Sequence, residues 1–206
     1  MKIHHRNQIG ELLNFYNLHG KGVEIGTWKG DFAKIILDSW DGTLYMVDPW
    51  KDLDDDYNHG LTDFKSGGNV YFNATMNSID GYENRAFMLR GLSNQLYDLF
   101  KDESLDFIYI DGNHKYDYVV EDINLWYPKV KRGGLVMGHD YLLFNGTKEG
   151  WYLDPHFADN KKDKHIWDNI YIGEFGVNPA VDEFCEKHGY EVNHTDEWFS
   201  SWYFVK

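Results

Sequence analysis

The eight residues from Val23 to Gly30, VEIGTWKG, constrain the fold more than any other stretch of this chain. A short apolar run stops at Gly26, and from Asp31 to Trp40 the apolar residues recur at helical spacing. A strand, a glycine turn and a helix in this order form the first unit of a nucleotide-binding α/β sheet, whose helix N-terminus offers free N–H groups to a ligand. An ordinary strand-to-helix turn has the same pattern, so this motif alone leaves both interpretations open.

The spacing of the glycines indicates which ligand such a turn would hold. A dinucleotide-binding turn reads G-x-G-x-x-G, whereas this one reads E-x-G-x-x-x-G, with Glu24 on the strand and glycines only at positions 26 and 30. A carboxylate directed into the turn would repel a pyrophosphate and would suit a ligand that carries an ammonium group. The turn therefore favours S-adenosylmethionine over a nicotinamide dinucleotide.

Composition and charge restrict the class of protein and its partners. A chain of 206 residues with 42% apolar content is long enough for one domain, residues 1–206, with a substantial core. The net charge of −14 disfavours nucleic acid and anionic membranes as partners, because both would be repelled. The single cysteine, Cys185, excludes a disulfide framework, and no basic-then-apolar leader is apparent, so we expect a reducing, cytoplasmic location.

Strand and helix patterns alternate along the chain. Apolar runs predict strands at residues 23–25, 43–48, 85–90, 105–111 and 134–138, and two further strands at 190–194 and 201–206 form an antiparallel pair. We expect a single Rossmann-like, doubly wound α/β sheet of about seven strands, mostly parallel, with this C-terminal hairpin at its edge. Residues 51–69 are predicted to form an acidic loop or lid, and residues 140–178 an aromatic insert on the acceptor side.

Ligands of such sheets bind outside the carboxyl ends of the strands, so residues that follow strands are the candidates for binding. Asp48 lies 22 positions after Gly26 and is predicted to accept hydrogen bonds from ribose hydroxyls, although an aspartate before proline is also a common turn residue. Trp50 could stack on adenine or lie in the core. Ser93 is predicted to cap the next helix, and its hydroxyl could also face the adenine.

Two clusters follow the fourth and fifth predicted strands. Asp111 ends one strand, His139 and Asp140 end the next, and neighbouring strands would bring all three to one point. Two carboxylates and an imidazole suit a divalent cation such as Mg²⁺ or Mn²⁺, which would bind an acceptor hydroxyl and lower its pKa. His114 is placed to take the proton, since an imidazole with a pKa near the usual ~6.5 is a competent base. The alternative is that the aspartates cap helices and His139 fills space.

These motifs together resemble the class I S-adenosylmethionine-dependent O-methyltransferases, especially the macrocin O-methyltransferase-like sugar methyltransferases. The resemblance extends over nearly the whole chain, from about Val23 to Lys206. Its most specific parts are IDGNHKYDYVVED, residues 110–122, and GGLVMGHDY, residues 133–141. VEIGTWKG and VDPW, residues 47–50, are shared by many methyltransferases, and AVDEFC and SWYFVK complete the match.

The resemblance implies a role for each matching residue. It implies that the methionine end of the cofactor is held by Gly26, Thr27 and Gly30, and its ribose by Asp48. It further implies that Asp111 and Asp140 hold the metal and that His114 is the base. The predicted cofactor-binding residues also include Glu24, Trp50, Ser93 and Asp111. The predicted catalytic residues are His114, Asp111 and Asp140. The predicted metal ligands are Asp111, His139 and Asp140.

The function expected from these patterns is methyl transfer from S-adenosylmethionine to a sugar hydroxyl of a glycan or glycosylated metabolite. The same chemistry on a phenol or catechol remains an alternative. So does a non-catalytic cofactor- or sugar-binding module, as part of a larger glycan-synthesis protein. A homo-oligomer is also compatible with the sequence, whereas a nicotinamide reductase is disfavoured by Glu24 and the missing third glycine.

Overall fold

The computed structural model describes residues 1–51, 68–141, 144–145, 152–153, 176–197 and 199–206. Within these ranges the α-helices are α1 (Ile9–Phe15), α2 (Asp31–Ser39), α3 (Gly68–Ser78), α4 (Ser93–Leu96), α5 (Tyr116–Trp126) and α6 (Val177–His188). The strands are β1 (Lys21–Ile25), β2 (Thr43–Asp48), β3 (Ala86–Arg90), β4 (Leu105–Ile110), β5 (Val130–Tyr141), β6 (Phe144–Asn145), β7 (Tyr152–Leu153), β8 (Asn193–His194) and β9 (Ser200–Val205). Short 3-10 helices lie at Arg6–Gln8, Tyr97–Leu99 and Tyr127–Lys129.

Seven strands form one sheet in the order β3-β2-β1-β4-β5-β9-β8. The five strands from β3 to β5 run parallel, β9 runs antiparallel to β5, and β8 pairs antiparallel with β9 at the edge. The predicted doubly wound α/β sheet with an antiparallel C-terminal hairpin is therefore confirmed. The strand order reverses between β1 and β4, and a sheet of this type binds its ligand above that point.

Successive residues of each strand pack into different cores, because side chains alternate across the sheet. In β4, Phe107 and Tyr109 join α1, α2 and α3 on one face, whereas Ile108 and Ile110 join α4, α5 and α6 on the other. With both faces covered, all six residues of β4 are buried. This explains why β4 appears in the sequence as a continuous apolar run rather than an alternating one.

Some predicted boundaries are wrong. The fifth strand, expected at residues 134–138, extends over Val130–Tyr141 because it pairs with β4 on one side and β9 on the other. The strand expected at 190–194 is reduced to Asn193–His194. Most of the predicted acidic loop at 51–69 and of the aromatic insert at 140–178 lies outside the described residues. In the ranges that are described, none of the helices combines the length and the apolar character needed to cross a bilayer.

Candidate active site

The turn after β1 has a backbone that only glycine accommodates. Gly26 has a φ of 89°, and a Cβ added there would lie 2.1 Å from the carbonyl oxygen of Asp111. The N–H of Gly26 donates to the carbonyl of Val47 at 2.8 Å, so the turn is also held against the end of β2. Gly30, with a φ of 81°, is the N-cap of α2. The chain can pass this closely over the ends of β2 and β4 because residue 26 has no side chain.

Two buried oxygen atoms at this turn lack a hydrogen bond of good geometry among the described residues. They are Oε2 of Glu24, a residue that is 1% exposed, and Oγ1 of Thr27, which is 5% exposed. Burial raises the pKa of Glu24 to about 8, although the interaction of this carboxyl with the Thr27 hydroxyl opposes that effect. Buried polar atoms are normally paired, so these two are ready to accept hydrogen bonds from a ligand. An ammonium group on S-adenosylmethionine would satisfy both and would favour the ionised form of Glu24.

Asp48 joins the turn to the end of β2. Its Oδ2 accepts a hydrogen bond from the N–H of Trp28 at 2.8 Å, and its Oδ1 accepts one from the N–H of Trp50 at 2.7 Å. Burial raises the pKa of this carboxyl, although the backbone N–H groups oppose that effect. Each carboxylate oxygen has a second lone pair, so Asp48 can also accept a hydrogen bond from a ribose hydroxyl.

Trp50 lies in the core. Its side chain is 1% exposed, its indole N–H donates to the carbonyl of Trp28 at 2.8 Å, and its ring packs edge-on against Phe72 at 5.3 Å between centroids. The indole is therefore a buried core side chain in this structure. Of the two roles considered for Trp50, the structure shows the core one.

Ser93 is not the cap of a helix. Leu92 occupies the N-cap position of α4, and the Ser93 hydroxyl instead donates to Oδ1 of Asp122 on α5. Asp122 is 4% exposed, and burial raises its pKa to about 7. Asp122 is not among the site residues predicted from the sequence. The sequence could have indicated it, because Asp122 lies on the same face of the helix as the core residues Val119 and Trp126. An acidic residue is unusual on a buried helix face.

The structure brings Asp111, His139 and Asp140 together. One ligand atom of each lies within 4.8 Å of the others, as the binding of a single cation requires. His139 and Asp140 are consecutive in β5 and would normally point to opposite faces. The pairing with β9 shifts register between Gly138 and Tyr141, and Asp140 has a left-handed φ of 57°. This irregularity turns both side chains toward Asp111. Two carboxylates and one imidazole fit a hard or borderline divalent cation.

His114 lies against the same carboxylates. Its Nε2 is 2.8 Å from Oδ2 of Asp140 and 3.7 Å from Oδ1 of Asp111. Burial alone would lower the pKa of His114, but the two carboxylates outweigh it and raise the pKa to about 10. The same interactions hold the pKa of Asp140 well below its usual range, against the effect of burial. The expectation of an ordinary imidazole pKa was therefore wrong, because the sequence does not show how close the carboxylates come.

Arg6 is a site residue that sequence reasoning missed. Its Nη1 lies 3.5 Å from Oδ2 of Asp111, and its guanidinium stacks 4.7 Å above the ring of Phe32. The backbone N–H of Arg6 donates to Oε2 of Glu197 at 2.7 Å, which holds the N-terminal segment against the turn between β8 and β9. No local pattern near residue 6 indicates this contact.

Comparison with known proteins identifies the family of the domain and its fold. A family model described as a methyltransferase domain matches residues 23–141, more than half of the chain. A curated relative, an uncharacterised protein of Acanthamoeba polyphaga mimivirus, is 43% identical over 37 residues, which are 18% of this chain and 17% of that protein. The aligned part is thus far less than two thirds of the viral protein.

Solved structures share the fold at low identity. A candidate caffeoyl-CoA O-methyltransferase from Staphylococcus aureus is 15% identical, with a TM-score of 0.62 over 98% of this chain and 82% of that one. A candidate S-adenosyl-L-methionine-dependent methyltransferase from Methanococcus maripaludis is 15% identical, with a TM-score of 0.58 over 98% and 84%. An O-methyltransferase family protein from Burkholderia thailandensis is 11% identical, with a TM-score of 0.63 over 97% and 55%. The chain therefore belongs to the methyltransferase-domain family and has the Rossmann-like fold of the class I S-adenosylmethionine-dependent methyltransferases.

Proposed function

We propose that this protein transfers a methyl group from S-adenosylmethionine to a sugar hydroxyl of a glycan or glycosylated metabolite, assisted by a divalent cation and with His114 as general base. The observation that carries the proposal is the convergence of Asp111, His139 and Asp140 directly beside the glycine turn. Gly26 lies against the backbone of Asp111, so the glycine turn is adjacent to the candidate cation site.

The residues of the turn would bind the methyl donor. Glu24 and Thr27 offer acceptor oxygens to its ammonium group, and Asp48 offers a carboxylate to its ribose. When bound, S-adenosylmethionine supplies an electrophilic methyl group on its sulfonium sulfur. The protein would contribute by positioning, because holding the donor and the acceptor in reacting geometry makes the transfer effectively unimolecular.

The acidic cluster would prepare the acceptor. A divalent cation held by Asp111, His139 and Asp140 would lower the pKa of the acceptor hydroxyl and orient it. His114 would take the proton that this hydroxyl loses. At neutral pH the imidazole already carries a proton, which the carboxylates of Asp111 and Asp140 stabilise. His114 can act as a base only when that negative charge is reduced, so cation binding and base function depend on each other.

The sugar acceptor is supported by the resemblance of residues 110–122 and 133–141 to sugar methyltransferases, and the net charge of −14 suits a neutral or cationic acceptor. A phenolic acceptor is the second candidate, favoured by the name of the Staphylococcus aureus structure. The two differ in acidity. A sugar hydroxyl is far less acidic than a phenol, so its methylation depends more strongly on a base.

The test is incubation of the whole chain with isotopically labelled S-adenosylmethionine, Mn²⁺ or Mg²⁺, and a panel of glycans and catechols. Mass spectrometry would detect the gain of one CH₂ group. We expect labelled glycan, and we expect His114→Ala to lower kcat on the glycan by about 10²- to 10⁴-fold, and less on a catechol. His19→Ala, which removes an exposed histidine paired with Asp41, is the matched control. Transfer to catechols alone would favour the phenolic acceptor, and cofactor binding without any product would favour a binding module.

A further inference from the structure

Ser93 begins α4 directly after β3, and its partner Asp122 lies on α5, which follows β4. The N–H of Gly91, two residues before Ser93, donates to the carbonyl of Asp48 at 3.0 Å. On the other side, a Cβ added to Gly112 would lie 4.0 Å from Oδ2 of Asp122. The pair therefore lies beside the end of β2, where the ribose is expected, and beneath the loop that follows β4.

The hydrogen bond of this pair has one direction when the carboxyl is ionised. A carboxylate can only accept, so the single hydroxyl hydrogen of Ser93 must point inward to Oδ1 of Asp122. The lone pairs of the hydroxyl then remain for the ligand. Asp122 is buried and Ser93 is partly exposed, so Ser93 is the member of the pair that a ligand can reach. An ionised Asp122 thus makes the Ser93 hydroxyl a hydrogen-bond acceptor for a ligand.

We propose that Asp122 is a positioning residue that presents the Ser93 hydroxyl as an acceptor to the exocyclic amino group of adenine, and so selects an adenine nucleoside over a 6-oxopurine nucleoside. This inference rests on the proposed use of S-adenosylmethionine. A ribose held by Asp48 would place its base near Ser93, because the N–H of Gly91 donates to the carbonyl of Asp48. Adenine presents a donor at its 6-position, whereas hypoxanthine presents an acceptor, which would face the acceptor lone pairs of Ser93.

The experiment compares the binding of two ligands by titration calorimetry. S-adenosylhomocysteine carries adenine, and S-inosylhomocysteine differs in carrying hypoxanthine. At about pH 8.5, above the pKa of Asp122, we expect the natural chain to prefer the adenine ligand by about tenfold or more, because the hypoxanthine oxygen would face the lone pairs of the Ser93 hydroxyl.

Two variants test the pair separately. In Asp122→Asn the amide can donate to Ser93 as well as accept from it, so the hydroxyl is free to turn outward and the preference should fall to within about threefold. Ser93→Ala removes the hydroxyl and should have the same effect, which keeps the test decisive if Asp122→Asn does not fold. Asp117→Asn removes an exposed charge from the same helix and should retain the full preference.

The ratio of the affinities for S-adenosylhomocysteine and S-inosylhomocysteine distinguishes a positioning role of Asp122 from a purely structural one. If Asp122 only stabilised the fold, its loss would weaken both ligands equally and leave the ratio unchanged. A preference that persists in both Asp122→Asn and Ser93→Ala would overturn the inference while leaving the proposed function intact. A natural chain that binds neither ligand would overturn both together.

Discussion

Nε2 of His114 lies 2.8 Å from Oδ2 of Asp140, and this contact joins the loop after β4 to the irregular end of β5. The pKa of the imidazole is raised and that of the carboxyl is lowered, so both are charged across the neutral range. Asp140 also faces His139, whose pKa its carboxylate raises against the effect of burial. In the absence of a cation, the proton on His114 balances part of the charge of the acidic cluster.

The His114–Asp140 pair should make stability depend on pH in a defined way. The pKa of His114 is higher in the folded state, so its contribution is complete below about pH 6.5 and is lost as the pH rises through about 10. The pKa of Asp140 is lower in the folded state, so its contribution is lost as the pH falls below about 4. Both contributions are complete between about pH 4 and 6.5. In urea unfolding of the cation-free protein, Asp140→Asn should therefore lose the most free energy of unfolding in this range.

The expected loss is no more than the roughly 3–5 kcal/mol of a broken buried pair. Asp196→Asn is the matched control, because Asp196 also pairs with a histidine, His4, but half of its side chain is exposed. Solvent and salt screen an exposed pair, so this variant should lose little stability. Equal losses in the two variants would show that the buried pair does not have the strength inferred here.

Chelation should abolish methyl transfer, and Mn²⁺ should restore it. Asp140→Asn should weaken Mn²⁺ binding by about tenfold or more, because it replaces a charged ligand. Binding should strengthen with rising pH, since the raised pKa of His139 means that a proton must leave before its nitrogen can coordinate. Electron paramagnetic resonance of Mn²⁺ would measure binding, with Asp41→Asn, an exposed site near His19, as control. Unchanged turnover in a chelator, together with a silent Asp140→Asn, would refute the cation.

Gly26→Ala should destabilise the protein far more than Gly81→Ala does. Both glycines have a φ of 89°, so an alanine at either position pays about 1–2 kcal/mol of backbone strain. At Gly81 nothing lies within 4 Å of the added Cβ, whereas at Gly26 it would meet the carbonyl of Asp111. Denaturant unfolding would measure the difference, and calorimetry should show that only Gly26→Ala loses S-adenosylhomocysteine binding. Similar costs would mean that the approach to β4 is not tight.

Glu24→Gln should be more stable than the natural chain at high pH. Burial raises the pKa of Glu24 to about 8, above its unfolded value, so folding is progressively disfavoured as the pH rises from about 4.5 to 8 and then stays level. Glutamine removes that dependence, at about 1.4 kcal/mol per unit of pKa difference.

The same variant tests the binding role of Glu24. A ligand ammonium group should favour the ionised carboxylate, so S-adenosylhomocysteine should flatten the pH dependence of the natural chain and should bind Glu24→Gln more weakly. Thermal and urea unfolding between about pH 5 and 9, with and without the ligand, would measure both effects. Parallel pH profiles for the natural and variant chains would contradict the raised pKa of the buried Glu24.

Local sequence patterns were sufficient to predict the sheet and the edge at which the candidate site residues lie. Strand and helix periodicities are properties of neighbouring residues, and residues that directly follow parallel strands must gather at one edge whatever the side-chain details. For this reason Glu24, Asp48, Asp111 and Asp140 could be assigned to the candidate site from their positions alone.

Only the tertiary structure decided how these residues interact. It placed Trp50 in the core, paired Ser93 with Asp122, brought Arg6 to Asp111 and surrounded His114 with carboxylates. Each of these outcomes depends on burial or on a contact between residues far apart in the chain. A pKa, in particular, reflects the distance to every neighbouring charge and the loss of water, and neither is a property of a short stretch of sequence.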